Sequence, residues 1–499
     1  MDIGQTGVKA EVFDTSGKSL TRSYREYGLL FPKPGFCELD PQSVMDAAFR
    51  VIRESAGRVR KTNPVQAIGI ASQGEAFTPV AADGAFLGQA MITSDSRAEA
   101  LVPVFSRTFG REKLYLLTGH TPYHMYSLYK LLWLKKNQPD VWRNTNKFLF
   151  FEDLLGFVLT GASATDYTLA SRSMLFDVRR KKWSGEILSE LQLAEKKLPE
   201  ALPAGTSIGT IKPDVSRRLE LGKNTQVVLA GHDQPCGGLG SGAAVPGSAS
   251  YSMGTSECIC PALDRLLLGP ELMASNLATY PHVVPETYTT VAFNITGGST
   301  LKWLRDNLAI EETVAARKAG RDPYEQIISA AADEPTGLIV IPHFGPTGTP
   351  HFDPAGTGVI FGLKLTTRRA EVWRAFLEGI TYEMKWNLSI LEKAGFRLKE
   401  LRGVGGGAKS AVWMQIKADI LGIPLTTTQV TEAACMGAGL QAGGALGLLD
   451  AGKASGQWAK PVRTFRPRPQ YADFYEKNFR LYQEIYCSLK KARGMLNEK

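Results

Sequence analysis

Short apolar runs bounded by turn residues alternate along this chain with longer stretches whose apolar residues recur three and four positions apart. The opening predicts a strand, a turn and a second strand: Ile3-Gly4-Gln5-Thr6-Gly7, then Val8–Phe13 in alternation, then a turn over Asp14–Gly17. Ala67–Ala71 reads as a buried strand followed by Ser72-Gln73-Gly74-Glu75, and Thr78–Ala81 as another. Between residues 113 and 200 the pattern is mainly helical, with Leu, Trp and Lys at helical spacing in SLYKLLWLKKN. Gln226–Ala230 is a further apolar strand, running out at Gly231-His232-Asp233. Residues 286–300 read as strand, Gly337–Pro342 as buried strand and Arg368–Ala394 as a long amphipathic helix. Leu401–Ala445 carries the glycine cluster GVGGGAKS, then a helix, a strand at Ile423–Thr428 and a second helix. Ala472–Leu489 closes the chain as a charged, aromatic helix. Strands alternating with helices favour an α/β class.

With 499 residues the chain exceeds the usual reach of one hydrophobic core. Met1-Asp2-Ile3-Gly4-Gln5-Thr6-Gly7 and Tyr251-Ser252-Met253-Gly254-Thr255-Ser256-Glu257 both place Gly and Thr in a tight turn after an apolar residue. This echo suggests two domains of related topology, divided as 1–244 and 245–499. The net charge of +9 fits an enzyme of anionic ligands, but mostly serves solubility at this length. No block of like charge suggests a nucleic-acid partner, and no run approaches the roughly 18 apolar residues of a membrane span. The N-terminus has neither a basic nor an apolar signal region, so a cytoplasmic enzyme is expected. The six cysteines are scattered without a CxxC pair, which argues for free thiols in a reducing compartment rather than zinc.

An acid at the carboxyl end of an α/β strand stands where ligands bind, and this singles out Asp233. It could serve as the base of a phosphoryl transfer, with Gly254 and Thr255 as a phosphate cradle. The alternative is a helix N-cap, because Pro235 follows at a first-turn position. In the first turn, Gly4 and Gly7 allow close backbone approach, Thr6 offers a hydroxyl, Asp2 could hold Mg²⁺ through water and Lys9 could reach a phosphate. The alternative there is an ordinary hairpin turn. Gly403–Ser410 misses the Walker A pattern by one glycine, and Gly405, Gly406 and Gly407 better suit a planar ring lying against the main chain. Gly238-Leu239-Gly240-Ser241-Gly242 lacks the dinucleotide spacing. Gln73, Glu75, Asp95 and Gln234 are candidates for gripping sugar hydroxyls, because carboxylates and amides supply directional acceptors and donors. Solvation of Glu75 and a structural Asp95–Arg97 ion pair are the alternatives.

As a set these pieces resemble the FGGY carbohydrate kinase family of the actin/hexokinase/Hsp70 superfamily, from Asp2 to about Leu489. MYSLYKLLWLKKN (125–137) fits the family's first signature, and GVIFGLKLTTRRAEVWRAFLEG (358–379) the second, with Phe376 where a smaller residue is usual. AGHDQ, MGTS, GGGAKS with Trp413 and Ala418-Asp419, and Met436-Gly437-Ala438-Gly439 add to the match. The resemblance implies two RNase H-like domains around a cleft, with ATP and Mg²⁺ as cofactors and transfer of the γ-phosphate to a small sugar or polyol. It implies Asp233 as general base and Gln234 as sugar contact. Asp2, Gly4, Thr6 and Lys9 would form one phosphate loop, and Gly254 with Thr255 the other. Gly298 would lie on the nucleotide side, and Gly405–Gly407 with Ser410 would line the adenosine pocket. The expected acceptor is a ketopentose such as xylulose or ribulose. A polyol kinase and a sugar-sensing pseudokinase are the alternatives, and the resemblance leaves a homodimer open. An ATPase without a sugar acceptor is disfavoured by the intact GHDQ. Two departures stand out: Gln5 replaces a hydroxyl residue in the first loop, and only Met1 precedes Asp2 where the family has an apolar strand. A chain that starts late, or a less stable member, is the expectation.

Overall fold

The computed structural model describes residues 1–62 and 64–497. Asp2–Ile3 (β1) and Gly7–Phe13 (β2) pair antiparallel across the first glycine turn, with Ile3 opposite Val8. Ser19–Glu26 (β3) extends the hairpin on one side, and Ala67–Ser72 (β4) runs parallel to β1 on the other. With Ser207–Thr210 (β5) and Gln226–His232 (β6) these form a six-stranded sheet ordered β3-β2-β1-β4-β6-β5. The strands β4 and β6 are apolar and buried almost throughout, as parallel strands covered on both faces must be. The edge strand β3 is polar and largely exposed.

The second sheet repeats this plan. Ser248–Met253 (β7) and Glu257–Pro261 (β8) form its hairpin, and Ala292–Asn294 (β9) adds to β8. Glu400–Val404 (β10) runs parallel to β7, and Leu425–Thr428 (β11) and Pro461–Phe465 (β12) complete the order β9-β8-β7-β10-β11-β12. The echo between the two Gly-Thr turns is therefore a repeated sheet, with a hairpin, a third antiparallel strand and two parallel strands in the same order. One difference is plain. β1 has two residues in its sheet, whereas β7 has six. Met1 is buried beside β4, its ammonium donating to Gly69 O at 2.8 Å and its carbonyl accepting from Ala71 N at 3.0 Å. Beyond it a cavity of about 420 Å³ opens between β2 and β4, lined by Met1, Phe13, Ile52, Gly443 and Trp458 among others.

Ten helices matter for the site. Pro41–Val59 (α1) packs on β2 and β3; it starts where the Asp40 carboxylate accepts from Ser43 N at 3.0 Å, with Pro41 in the first position. Ser127–Asn137 (α2), Phe151–Thr160 (α3) and Tyr167–Arg172 (α4) belong to the segment expected to be helical. Asp233–Gly240 (α5) follows β6 directly. Gly297–Asn307 (α6), Arg369–Lys393 (α7), Ala411–Leu421 (α8), Ala433–Ala445 (α9) and Ala472–Ser488 (α10) lie in the second half.

Each half sends one helix to the other. α5 leaves β6 and touches β7 and β8, while α9 leaves β11 and lies on β2, β4 and β6. The two helices cross with their backbones in contact. A Cβ on Gly240 would stand 1.9 Å from Ala433 O, and one on Gly437 1.9 Å from Cys236 O. Only glycine permits that approach, which accounts for Gly437 in the Met436–Gly439 motif.

The pattern misled in two places. Residues 286–300 were expected to be strand throughout, but only Tyr288–Thr289 and Ala292–Asn294 pair, and Gly297 opens α6. The strand β10 was missed because its glycine-rich end reads as loop. A further helix over Lys490–Asn497 follows α10, and no described helix is long and apolar enough to cross a membrane.

Candidate active site

β6 and β4 end side by side, His232 opposite Ser72, which brings Asp233 next to the segment Gln73–Glu75. Asp233 is the first residue of α5, and His232 holds the cap position, so the N-cap alternative fails and the carboxylate remains available. Burial pushes the Asp233 carboxyl up to about 8, with the charges of Asp2 and then Glu75 adding to the effect. His232 Nε2 lies 3.1 Å from Asp233 Oδ1, yet its ring is not aligned for a hydrogen bond and Oδ1 has no partner. Burial keeps that imidazole neutral. A desolvated carboxyl with one oxygen left without a partner, poised near neutrality, is suited to accept a proton.

The first hairpin is braced from beneath. Tyr27 OH donates to Gly4 O at 2.5 Å and Gln73 Nε2 to the same carbonyl at 3.0 Å, while Gly4 N donates to Gly7 O at 3.0 Å. Gly7 is required there, because a Cβ would meet the Tyr24 ring at 2.5 Å. Thr6 is left exposed on the turn. Asp2 Oδ1 and Gln73 Oε1 are buried without a hydrogen-bond partner, as Asp233 Oδ1 is. Three orphaned oxygens in one site fit a hydrated divalent cation and a substrate hydroxyl, both of which take hard oxygen ligands. Lys9, expected at a phosphate, instead pairs with Glu432 at 2.6 Å, just before α9.

The second hairpin is held from both sides. Gly298 N donates to Gly254 O and Ser299 N to Thr255 O, each at 3.0 Å, so the start of α6 grips the turn. A Cβ on Gly298 would stand 2.3 Å from Gly254 O. On the other side, Gly405 takes φ +92° and a Cβ there would be 2.7 Å from Met253 O. Gly407 lies against Met253 and Trp413, and Gly406 between them faces open space. Ser410 caps α8, its hydroxyl accepting from Trp413 N at 3.3 Å. The segment is a short turn between β10 and α8, with Ala408 where a Walker A loop has its last glycine. Under the hairpin, Lys417 Nζ is fully buried and donates to Glu257 Oε1 at 2.8 Å, Glu257 Oε2 at 2.9 Å and Tyr251 OH at 2.8 Å. Nothing in the sequence pattern marked this cluster.

On the sugar side, Glu75 is buried at φ +63°, with Oε2 accepting from Thr93 Oγ1 at 2.7 Å and Oε1 bound by Arg172. Its carbonyl accepts from Ser127 Oγ at 2.9 Å and Lys130 Nζ at 3.3 Å. Two constrained positions of the first signature therefore hold this loop. Arg172 lies over the rings of Tyr126 and Tyr280, a partner that one-dimensional spacing could not reveal. Gln234 follows Asp233 in the first turn of α5 and is half-buried beside it. Asp95 is different. Its oxygens accept from Cys37 N at 2.7 Å and from Arg97 Nη2 at 2.7 Å and Nε at 2.9 Å, and Arg97 also bonds Glu38. With both oxygens engaged, Asp95 fits the structural alternative and not the expected sugar contact.

Residues 1–240 match the FGGY family of carbohydrate kinases, N-terminal domain, and residues 249–446 its C-terminal domain. The chain belongs to this family. The FGGY assignment makes it a phosphotransferase acting on an alcohol group of a carbohydrate, using ATP with Mg²⁺. It is 25% identical to the xylulose kinase of Staphylococcus epidermidis over 498 residues, covering 98% of this chain and 96% of that one. It is 30% identical to the glycerol kinase of Halorhodospira halophila over 496 residues, covering 94% and 91%. Among solved structures it resembles ligand-bound xylulose kinase from Lactobacillus acidophilus, with a TM-score of 0.91, 26% identity and coverage of 100% and 99%. Gluconate kinase from the same organism matches with the same figures. The two-domain α/β fold of the FGGY kinases is thus present along the whole chain.

Proposed function

We propose that this FGGY kinase phosphorylates a ketopentose, xylulose first, with Asp233 as the general base. The observation that carries the reading is the half-buried Asp233 carboxyl at the end of β6, whose Oδ1 is covered and has no hydrogen-bond partner. Asp233 Oδ1 takes the proton of the attacking hydroxyl, and Gln234, Gln73 and the Glu75–Arg172 pair bound the acceptor. Asp2, whose Oδ1 has no protein partner, would hold Mg²⁺ through water, and the ion would supply charge neutralisation for the transferred phosphate. The Gln5 and Thr6 amides, on a turn closed by Gly4 N donating to Gly7 O, face phosphate from one side and the Thr255 amide, beside Gly254, from the other, so closing the two halves excludes water from the transfer. Gly298 and Gly405–Gly407, with Gly406 uncovered, supply a surface flat enough for the adenosine. In this reading residues 1–244 carry the sugar and the base, and 245–499 the nucleotide. The xylulose kinases among the relatives support the acceptor class. A polyol acceptor is the second reading, favoured by the 30% identity to a glycerol kinase.

An ADP-release assay with Mg-ATP against xylulose, ribulose, glycerol, erythritol and gluconate tests both. Release that depends on xylulose or ribulose is the expected result. Dependence on a polyol alone would transfer the assignment to the second reading, and release without any acceptor would overturn both.

A further inference from the structure

Asp233 reaches the cleft through an irregularity in β6. The strand pairs with β4 as far as Leu229 opposite Ile70 and resumes with Gly231 opposite Ala71, so Ala230 is one residue too many. Gly231 takes φ +100°, and a Cβ there would meet Thr168 Oγ1 and Val283 Cγ1, each at 2.8 Å. Such a bulge turns a strand and takes amides off the ladder. The amides of Ala230 and Gly231 both donate to Glu152 Oε1, each at 2.8 Å. The next amide, of His232, donates to Thr168 Oγ1 at 2.7 Å, and that hydroxyl donates to Asp166 Oδ1 at 2.9 Å. Asp166 N returns to Glu152 Oε2 at 3.3 Å, and Glu152 N donates at 3.2 Å to Ser72 Oγ, the residue opposite His232. Three successive amides immediately before Asp233 are thus held by side chains at the start of α3 and α4.

Glu152, Asp166 and Thr168 have no exposed surface, and none of the ion pairs described pairs either acid with Lys or Arg. Burying two acids this way is costly, whereas a regular ladder would satisfy the same amides without them. What needs the acids is the bulge. Glu152 meets the approach to Asp233 through the backbone, at the amides of Ala230 and Gly231.

We propose that Glu152 is a positioning residue for phosphoryl transfer: it holds the β6 bulge that sets the depth and direction at which Asp233 enters the cleft. The inference rests on Asp233 being the base. Glu152→Gln keeps an oxygen for the two amides, Glu152→Met removes it at similar size, and Thr168→Val removes the acceptor of the His232 amide. With Mg-ATP and the acceptor found above, Glu152→Met and Thr168→Val are expected to lower kcat about 10²-fold. KM for ATP should stay within about twofold in both, and Glu152→Gln should keep kcat within about tenfold of the parent. Amide exchange at 230–232, read without any acceptor, should quicken at least about tenfold in Glu152→Met and stay slow in Glu152→Gln. Full kcat and slow exchange in Glu152→Met, or equal losses in Gln and Met, would overturn the proposal. Should Glu152→Met not fold, Thr168→Val decides alone by the same two readouts. Asp233→Asn run alongside separates the failures: activity in that variant removes the base itself, whereas an inactive Asp233→Asn beside a fully active Glu152→Met removes only the positioning role.

Discussion

The two hairpins are built on one plan and finished in opposite ways. Under the second, Glu257 is neutralised by Lys417 and Tyr251, every donor and acceptor met, and α6 and the Gly405–Gly407 turn clamp the loop. Around the first, Asp2, Gln73 and Asp233 each keep an oxygen without a partner. A repeated fold can afford that asymmetry. One hairpin has its polar groups met by the protein and presents a fixed rim, while the other keeps unsatisfied oxygens that only a cation and a substrate complete.

The largest effect should come from abolishing the unsatisfied side. Asp233→Asn is expected to lower kcat by roughly 10²–10⁴ while ATP binding persists, checked by ADP release and nucleotide titration. The same variant should be more stable at alkaline pH. The Asp233 carboxyl stands near 8 in the folded chain against 3.8 for the free group, so the native state holds a proton that the unfolded chain has lost. Parent stability therefore falls as pH rises from about 4 to about 8, and thermal melts of both proteins at pH 6 and 9 should show the gap widening at pH 9. In the free enzyme kcat/KM should climb with pH towards about 8, where the base is ionised; a profile flat from pH 5 to 9 would contradict the shifted carboxyl.

Breaking the satisfied side should act on stability first. Lys417→Met leaves Glu257 buried without a cation, with the Tyr251 hydroxyl as its remaining side-chain partner, and is expected to cost about 3–5 kcal/mol in a denaturant melt. Lys417→Met with Glu257→Gln should recover much of it. If the single variant melts like the parent, the second hairpin is not held by that pair. Gly437→Ala forces a methyl into the Cys236 carbonyl and should cost about 1–3 kcal/mol, with KM for ATP rising because the crossing helices are pushed apart. The smallest effect concerns the short strand. Three apolar residues placed before Met1 would come opposite Glu11–Phe13 on β2 and Ala67–Gly69 on β4, within the cavity behind the sheet. A Gly-Ser-Gly extension should leave the Tm in place while Val-Ile-Val raises it by a few degrees; equal melts would show that the hairpins do not differ in strand support.

Much of this was readable along the chain. Apolar runs ending at Gly and Asp gave the strands, and the two Gly-Thr turns gave the duplication, because backbone geometry demands small residues at fixed places. Asp233 stood out for the same reason, at the end of a strand with no apolar role. What stayed hidden depends on distant pairing. Arg172 meets Glu75 across 97 residues and Lys417 meets Glu257 across 160, separations that no periodicity encodes. Asp95 and Lys9 misled because a charged side chain beside a strand looks alike whether it meets a ligand or an ion partner. The bulge at Ala230 left only Gly231 as its trace.

The exchange of helices between the halves has a consequence for how the chain is made. The faces of β4 and β6 that α9 covers are completed by residues 433–445. Synthesis runs from the N-terminus, so the first sheet waits with that apolar face open while nearly 200 further residues emerge, from Gly240 to Ala433. Neither half can finish alone, and the protein should unfold in one cooperative transition rather than as two independent domains.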